Sequence, residues 1–342
     1  MSMNRMTCER DGISLSAVDL AMVADGATSK TALSETTTLA HCADQLGFAR
    51  FWVAEHHNMS TVASTSPAVL IAHLASVTKR IRVGSGGVML PNHAPLVIAE
   101  QFAMLEALHP NRIDLGIGRA PGTSPSTALA LRRSADAMST EDFPRQLLEV
   151  MGLLGDIRTP EGPWQQMKAT PVATGSPQIA LLGSSGFSAQ LSGMLGLPFA
   201  FANHFDLGGT SQACELYREQ FRPSPVLDHP HTIVSATVVV AASAEIAAWR
   251  AGPGQLRRYA MRSGRFLPLY SPKDASKHPE FKQAIGMPTN ALLGTAEQVA
   301  EELAALATTT QANELMIHTP CHNVKHRVES LERVAEAWTS AP

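Results

Sequence analysis

Residues 81–117 read IRVGSGGVMLPNHAPLVIAEQFAMLEALHPNRIDLGI, and this stretch decides the fold. It contains two short apolar runs, Ile81–Val83 and Ile113–Ile117, of the kind that forms buried parallel strands. Between the runs, apolar residues recur at the spacing of one helical face: Ile98, Phe102 and Leu105. The stretch therefore predicts a strand, a helix and a second strand in succession, which is the repeating unit of an α/β protein.

The same alternation of apolar runs and helical patterns extends along the whole chain. Eight runs have the character of buried strands: Ile13–Val18, Phe51–Val53, Ile81–Val83, Ile113–Ile117, Ile179–Leu182, Phe199–Ala202, Thr237–Val240 and Leu315–Ile317. Eight such units are what a (β/α)₈ barrel requires, whereas a doubly wound sheet usually has about six strands and a glycine fingerprint after the first. We therefore predict an α/β fold, a TIM barrel.

Two gaps between predicted strands are much longer than the others, from residue 113 to 179 and from 237 to 315. They predict insertions at about 139–177 and 252–293, which are rich in Pro and Gly and would lie as lids over the barrel mouth. A linker between two domains is the alternative. A single domain over residues 1–342 is favoured, because neither insertion has enough periodic apolar sequence for a core of its own.

Charge and cysteine content narrow the classes of partner and compartment. The 342 residues include 27 Lys and Arg against 30 Asp and Glu, a net charge of −3, so no basic excess is present to bind nucleic acid or an anionic membrane. The four cysteines are far apart and form no CxxC pair, and charged residues interrupt the first twenty positions. We therefore expect a cytoplasmic protein without a nucleic-acid or membrane partner.

Because barrel active sites lie at the carboxyl ends of the strands, the residues that follow each run are the candidates for chemistry. Glu55, His56 and His57 follow the second run, and they could supply a general base or metal ligands. Adjacent strand residues point opposite ways, so only one of the two histidines should enter the mouth, and a two-histidine metal site there is poor. The alternative is a purely structural role, in which a histidine forms hydrogen bonds with backbone groups in a packed loop.

Small residues follow three other runs. Gly84, Ser85, Gly86 and Gly87 come after the third run, where the lack of side chains would let a flat ring approach the backbone, although a bulge or tight turn would look the same. The segment Gly183–Gly186, which contains Ser184 and Ser185, precedes a helical pattern and could bind an anion. Its alternative is an ordinary capped helix start.

Arg119 strengthens the anion-binding interpretation, since a fixed guanidinium after the fourth run can pair with phosphate. An arginine in a structural ion pair would look the same in sequence. No dinucleotide fingerprint, Walker pattern, HExxH or GxSxG motif is present. Cys321, His322 and His326 are best explained as a solvated loop, so we expect no metal.

These residues resemble the bacterial-luciferase-like flavin monooxygenases. The similarity rests on blocks in the family's order: Phe51–Asn58, Arg80–Pro91, Asn111–Gly122, Leu182–Ser185, Gly196–Ala202 and Asn313–Ile317. The position before Arg119 is Gly118, where the luciferases proper carry a reactive cysteine. The pattern is therefore closer to the family's uncharacterised oxidoreductase branch, and light emission is not implied.

The resemblance implies a TIM barrel that binds FMN at its mouth, commonly as a homodimer, with a separate reductase that supplies reduced flavin. It assigns His56, next to Glu55, as the active-site histidine. It assigns Arg119 and the turn of Ser185 and Ser188 to the flavin phosphate, and Gly86–Gly87 to a cis peptide beneath the flavin ring. The expected chemistry is oxygenation of a small organic substrate by a C4a-hydroperoxide formed from reduced FMN and O₂. A deazaflavin (F420) oxidoreductase and a flavin-binding protein without turnover are the alternatives.

Overall fold

The computed structural model describes residues 7–120, 122–132, 142–156, 158, 162–205 and 208–340. Eight of its strands run parallel and close into a barrel, because β2 pairs with both β3 and β10. A short strand, β1, adds antiparallel to β2, and β9 pairs in parallel with the last three residues of β8. The strands are β1 Glu9–Arg10, β2 Ile13–Asp19, β3 Arg50–Val53, β4 Arg82–Met89, β5 Ile113–Gly118, β6 Gln178–Gly183, β7 Phe199–Phe201, β8 Thr232–Val240, β9 Leu292–Gly294 and β10 Glu314–His318.

The predicted TIM barrel is confirmed, and each of the eight predicted runs coincides with one of its strands, with only Ile81 and Ala202 lying one residue outside. Strand β8 begins five residues before the predicted start at Thr237, because Thr232 and Ser235 are polar but buried in the barrel wall. Strand β4 also continues past its predicted end, through Gly84–Gly87 to Met89. The expectation that these glycines follow the strand was wrong: pairing with β5 holds them in the sheet as far as Met89.

The helices lie between successive strands. They are α1 Ser29–Leu46, α2 Pro67–Val77, α3 Pro95–Leu108, α4 Pro125–Arg132, α5 Phe143–Leu153, α6 Gly186–Met194, α7 Thr210–Gln220, α8 Ala244–Met261, α9 Pro272–Ala275, α10 Phe281–Ile285, α11 Ala296–Thr310 and α12 Val324–Ser340. Within the described ranges, no helix has both the length and the apolarity needed to span a membrane.

Two layers of side chains hold the barrel together. The larger one lies between strands and helices and includes Phe51, Phe102 and Phe199, all fully buried. The smaller one fills the barrel interior with one residue from each of six strands: Val18, Trp52, Ala180, Ala200, Ile233 and Met316. The interior is therefore a packed core, which leaves the ends of the barrel for chemistry.

An ionic cluster closes the end of the barrel where the strands begin. The Arg50 guanidinium donates to Glu314 at 2.7 Å and to Asp114 at 2.9 Å, and Arg82 donates to the other Asp114 oxygen at 2.7 Å. Trp52 Nε1 also donates to Asp114, at 2.9 Å. These charged groups are all engaged in structural pairs and are not available to a ligand. The candidate site for substrates is therefore at the opposite end, the mouth formed by the carboxyl ends of the strands.

Part of the first proposed insertion belongs to the packed layers. Helix α5 lies within 139–177, and its Phe143, Leu147 and Val150 join the large core. The second, at 252–293, holds the end of α8, the short helices α9 and α10, and β9. Residues 139–141, 157 and 159–161 of the first lie outside the described residues. The division into one barrel domain with two lids stays a prediction.

Candidate active site at the barrel mouth

The loop after β3 places a buried carboxylate at the mouth. Glu55 is fully buried and accepts hydrogen bonds from the Met89 N–H at 3.0 Å and from His57 and His93, whose Nε2 atoms lie 2.7 and 2.8 Å from Oε1. Burial alone would raise the pKa of Glu55, but the hydrogen bond and charge of His93, helped by His57 and the Met89 N–H, hold that pKa below its usual value. The carboxylate therefore ties this loop to the end of β4.

Glu55, His57 and His93 also have the donor atoms of a metal site, since their ligand atoms all lie within 4.8 Å of one another. The short hydrogen bonds to Glu55 Oε1 explain this arrangement by themselves. The expectation that the protein holds no metal stays a prediction.

His56 has different surroundings from His57. Its backbone N–H donates to the Ser64 carbonyl at 3.0 Å, while its ring Nδ1 is buried without a hydrogen-bond partner among the described residues. Burial lowers the pKa of His56, and the charges of His57 and Arg257 lower it further against the opposing effect of Glu55. The ring is therefore neutral near pH 7, and Nδ1 is a polar atom that a bound molecule can satisfy.

The middle of β4 approaches its neighbours closely, and this explains its glycines. The Gly86–Gly87 peptide is cis, as the resemblance predicted. A Cβ at Gly87 would lie 2.8 Å from the Gly116 carbonyl oxygen, and one at Gly86 would lie 3.1 Å from Trp52. Ser85 is fully buried, and its hydroxyl donates to the Gly116 carbonyl at 2.8 Å. Only the backbone at this step is left to contact a ligand.

The strand pair β5 and β6 brings the predicted anion-binding residues together. Arg119 follows β5, Gly183 ends β6, and α6 begins two residues after Ser184 with Ser185 as N-cap. The guanidinium carbon of Arg119 lies 4.2 Å from the ring centroid of Phe187 in the first turn of α6. The side chain of Ser185 makes no capping hydrogen bond, so the first N–H groups of α6 have no side-chain cap.

The structural alternative for Arg119, an ion pair with a carboxylate, is absent from the described part of the chain. Ser188 is buried one turn inside α6, beneath the end of β6. A Cβ at Gly183 would lie 2.6 Å from Ser188 Cβ, so a residue without a side chain is needed there. Arg119 therefore lies beside the first turn of α6, against which Gly183 packs, and the assignment of Arg119, Gly183, Ser184, Ser185 and Ser188 to a phosphate stays a prediction.

Three groups on the far side of the mouth received no role from sequence reasoning, although His318 stands out as the polar residue that ends the eighth strand. His204 follows β7 and His318 ends β10, with ring centroids 5.9 Å apart, and Arg257 lies in α8. Burial lowers the pKa of His204 to about 3 and that of His318 to about 4, so both rings are neutral at pH 7. The strand-end position of His318 was a usable signal, but the helical position of Arg257 gave none.

Comparisons with known proteins find similarity along almost the whole chain. The sequence model of the luciferase-like monooxygenase family matches residues 14–312. The chain is 43% identical to the Bacillus subtilis protein YvbT over 96% of its length and 98% of that protein. It is 38% identical to an Escherichia coli luciferase-like monooxygenase over 94% of this chain and 95% of that protein. It is 32% identical to the N-acetyl-S-alkylcysteine monooxygenase of Bacillus subtilis over 96% of this chain and 99% of that protein.

Solved structures extend the comparison to the fold. Apo-MsnO8 superposes with a TM-score of 0.86 at 33% identity, over 96% of this chain and 99% of that one. The oxygenating constituent of 3,6-diketocamphane monooxygenase in complex with FMN has a TM-score of 0.68 at 19% identity, covering 95% and 97%. An F420-dependent secondary alcohol dehydrogenase has a TM-score of 0.64 at 15% identity, covering 95% and 98%. The two last likenesses concern the fold alone.

Proposed function

The chain belongs to the luciferase-like monooxygenase family, and from that premise we propose that it is an FMN-dependent monooxygenase acting on a small organic substrate. One observation carries the proposal: Arg119 stands beside the N-terminus of α6 without a carboxylate partner in the described residues. A guanidinium and a helix N-terminus together form a phosphate site, and FMN carries a terminal phosphate.

The residues present fit FMN at both of its ends. Arg119, Ser184, Ser185 and the first N–H groups of α6 would hold the phosphate, with Gly183 and Ser188 forming the close turn beneath it. The Gly86–Gly87 step in β4 would leave room for a flat ring against the backbone. The role of Ser85 in cofactor binding would be limited to its backbone, because its hydroxyl donates within the barrel wall.

When bound, reduced FMN with O₂ supplies the oxygen atom for the substrate. The chain's own residues then bind the flavin and the substrate, exclude water from them and move a proton. His56 is neutral, and its unpartnered Nδ1 is the atom at which a proton is held or accepted at the mouth. Glu55 acts as a positioning residue, because both oxygens are engaged by His57, His93 and the Met89 N–H.

Further features of the proposed enzyme follow from the family. The FMN-bound structural neighbour is named as the oxygenating constituent of its monooxygenase, which supports a separate flavin reductase as partner. A homodimer and a cytoplasmic location remain predictions. A deazaflavin cofactor is the competing proposal, since an F420-dependent enzyme shares the fold. Binding of flavin without turnover is a weaker competitor, because it would not need the unpartnered His56.

An anaerobic titration of the purified protein separates these cofactors. Reduced FMN and reduced deazaflavin are added in separate experiments, binding is followed by fluorescence, and O₂ is then admitted. We expect FMN to bind more tightly and to be reoxidised with a lag relative to free FMN, because a monooxygenase must shield its flavin from water. Binding of deazaflavin alone would overturn the proposal, and reoxidation at the rate of free FMN would favour binding without turnover.

A further inference from the structure

A cavity of about 320 Å³ opens on the far side of the mouth from Arg119. Its wall is largely apolar and includes Leu20, Met22, Ala251, Met261 and Pro320. His204 and His318 also line it. The volume is that of a small-molecule site, and the apolar wall suits the body of an organic substrate.

One charged side chain in this wall has an unusual environment. Arg257, on α8, is only 8% exposed, and its Nη1 is buried without a hydrogen-bond partner among the described residues. It forms no ion pair with a carboxylate in the same part of the chain. A buried guanidinium without a partner is costly, so a group that completes its hydrogen bonds would be strongly favoured there.

The other described groups around the cavity do not compensate this charge. Among the lining residues that the structure describes, none is Asp or Glu. Burial keeps the pKa values of His204 and His318 near 3 and 4, so these rings add no charge at pH 7. Burial also lowers the pKa of Arg257 to about 10, which still leaves the guanidinium protonated. The cavity therefore presents a buried positive charge in an apolar wall.

The cavity is also connected with the proposed proton-transfer residue. The charge of Arg257 reaches both His56 and His318, whose pKa values it lowers. Arg257 follows β8 in the chain, whereas Arg119 follows β5 and contacts Phe187 of α6. The two arginines thus belong to different sides of the mouth, with His56 within electrostatic reach of Arg257.

We propose that this cavity binds the substrate and that Arg257 pairs with a carboxylate on it, so that the substrate class is a small organic carboxylate with an apolar body. That the bound carboxylate is the substrate rests on the proposed monooxygenase function. Binding of the carboxylate itself does not depend on flavin. A guanidinium matches a carboxylate in a bidentate geometry. Arg258 and Arg262 also line the cavity, but Arg257 is the buried one of the three, so a monoanion matches the buried charge.

Calorimetric titration with two matched probes, hexanoate and hexanamide, tests this proposal on the flavin-free protein and on the protein loaded with oxidised FMN. The probes have the same chain length and differ in charge. We expect hexanoate to bind at least about tenfold more tightly than hexanamide, in the range of a charge-assisted hydrogen bond. Equal binding of the two probes would overturn the proposal.

Variants assign the selectivity to one side chain. Arg257→Met should abolish the preference for hexanoate, while Arg257→Lys, which keeps the charge, should retain part of it. Arg262→Met is the matched control, because Arg262 lines the same cavity but is exposed to solvent. Its loss should change hexanoate affinity less than about threefold, because solvent screens its charge.

Further outcomes separate the two proposals. Hexanoate selectivity that persists in Arg257→Met contradicts the inference, and weakened FMN binding in Arg257→Met with unchanged hexanoate binding assigns Arg257 to the flavin and also contradicts it. If Arg257→Met does not fold, Arg257→Lys decides: hexanoate selectivity that a folded Lys variant keeps in full contradicts a bidentate pairing with the guanidinium. Hexanoate selectivity in a protein that binds no FMN would leave the carboxylate site standing and would refute the monooxygenase.

Discussion

At the scale of single residues, the chemistry proposed for the mouth depends on an imidazole with an unsatisfied atom. His56 Nδ1 is buried without a partner in the described residues, and burial lowers the pKa of the ring. His57, its neighbour in sequence, is held by Glu55. The two histidines lie in the coil after β3, which ends at Val53, and they differ in their contacts: His57 is held by Glu55, whereas His56 has a ring atom available to a ligand.

We expect His56→Ala to lower the turnover of the FMN-loaded enzyme by about 10²-fold or more, since a positioned proton-transfer group contributes that much. FMN binding should stay within about twofold, because the phosphate and ring contacts lie elsewhere. In the unaltered enzyme, a His56 pKa below 6.5 predicts a fall in rate only at pH values below 6.5. The rate and its pH profile are followed by oxygen consumption.

His41→Ala is the control for this variant, because His41 is exposed on α1, away from the mouth. It should leave both the rate and the pH profile unchanged. Loss of FMN binding in His56→Ala would contradict the proposed role of the histidine.

At the scale of elements, helix ends and strand contacts show what local sequence determines. Thr295 and Gln298 have the residue types and spacing that predict a capping box, and both of its hydrogen bonds are present at the start of α11. At α2, Ser66 followed by Pro67 predicts an N-cap with proline at the first helical position. Pro67 takes that position, but the Ser66 side chain makes no capping bond. Capping motifs are local, so they are predictable from sequence when two reciprocal groups specify them.

Thr295→Ala should reduce the free energy of unfolding by about 1 kcal/mol, because it removes the capping oxygen and half of the capping box. Thr308→Ala is the matched control, since Thr308 is exposed in the same helix and its hydroxyl donates only to the Ala304 carbonyl. It should be neutral or slightly stabilising, because alanine is the better helix former. Urea denaturation followed by circular dichroism measures both, and equal effects would refute the capping contribution.

Strand β4 shows where local sequence is insufficient. Its glycines favour a turn on propensity, yet they lie in the barrel wall because only residues without side chains fit against Trp52 and the Gly116 carbonyl. Arg257 was missed for a related reason: it lies in a helix within a segment that the sequence predicted to be an irregular lid. Both depend on tertiary contacts, which residue spacing along the chain does not encode.

At the scale of the whole molecule, the two ends of the barrel differ in their charges. The end where the strands begin contains paired charges, whereas the mouth combines paired groups, Glu55 with His57 and Asp19 with Arg327, with two arginines that have no carboxylate partner in the described residues. The strand order and the barrel followed from eight apolar runs, because burial on both faces leaves a strong signal in sequence. The cavity beside Arg257 did not, since its lining comes from distant segments.

The free energy of unfolding at acid pH tests the ionic cluster at the end of the barrel where the strands begin. Burial would raise the pKa of Glu314, but the charge and hydrogen bond of Arg50, together with His231, lower it to about 2. The carboxylate therefore stabilises the fold above its usual pKa of 4.5, and this contribution is lost as the pH falls from about 4.5 to about 2. Glu314→Gln should cost about 3–5 kcal/mol at pH 7, since it leaves Arg50 partly uncompensated, and should flatten the acid limb of the stability profile.

Glu302→Gln, at an exposed position on α11, is the control and should leave the free energy of unfolding within about 0.5 kcal/mol. Denaturant unfolding measured between pH 2 and pH 8 gives both profiles. An acid limb in Glu314→Gln as steep as that of the unaltered protein would show that the cluster at the barrel end is not its source.

The most direct measurement of the central proposal compares the binding of FMN and riboflavin by the unaltered protein and by Arg119→Ala. Only FMN carries the phosphate that Arg119 and the N-terminus of α6 would hold. We predict that Arg119→Ala weakens FMN binding by about 1.5–3 kcal/mol, roughly 10- to 100-fold, and riboflavin binding by less than about threefold. Equal weakening of both flavins, or no change in either, would contradict a phosphate site at this turn.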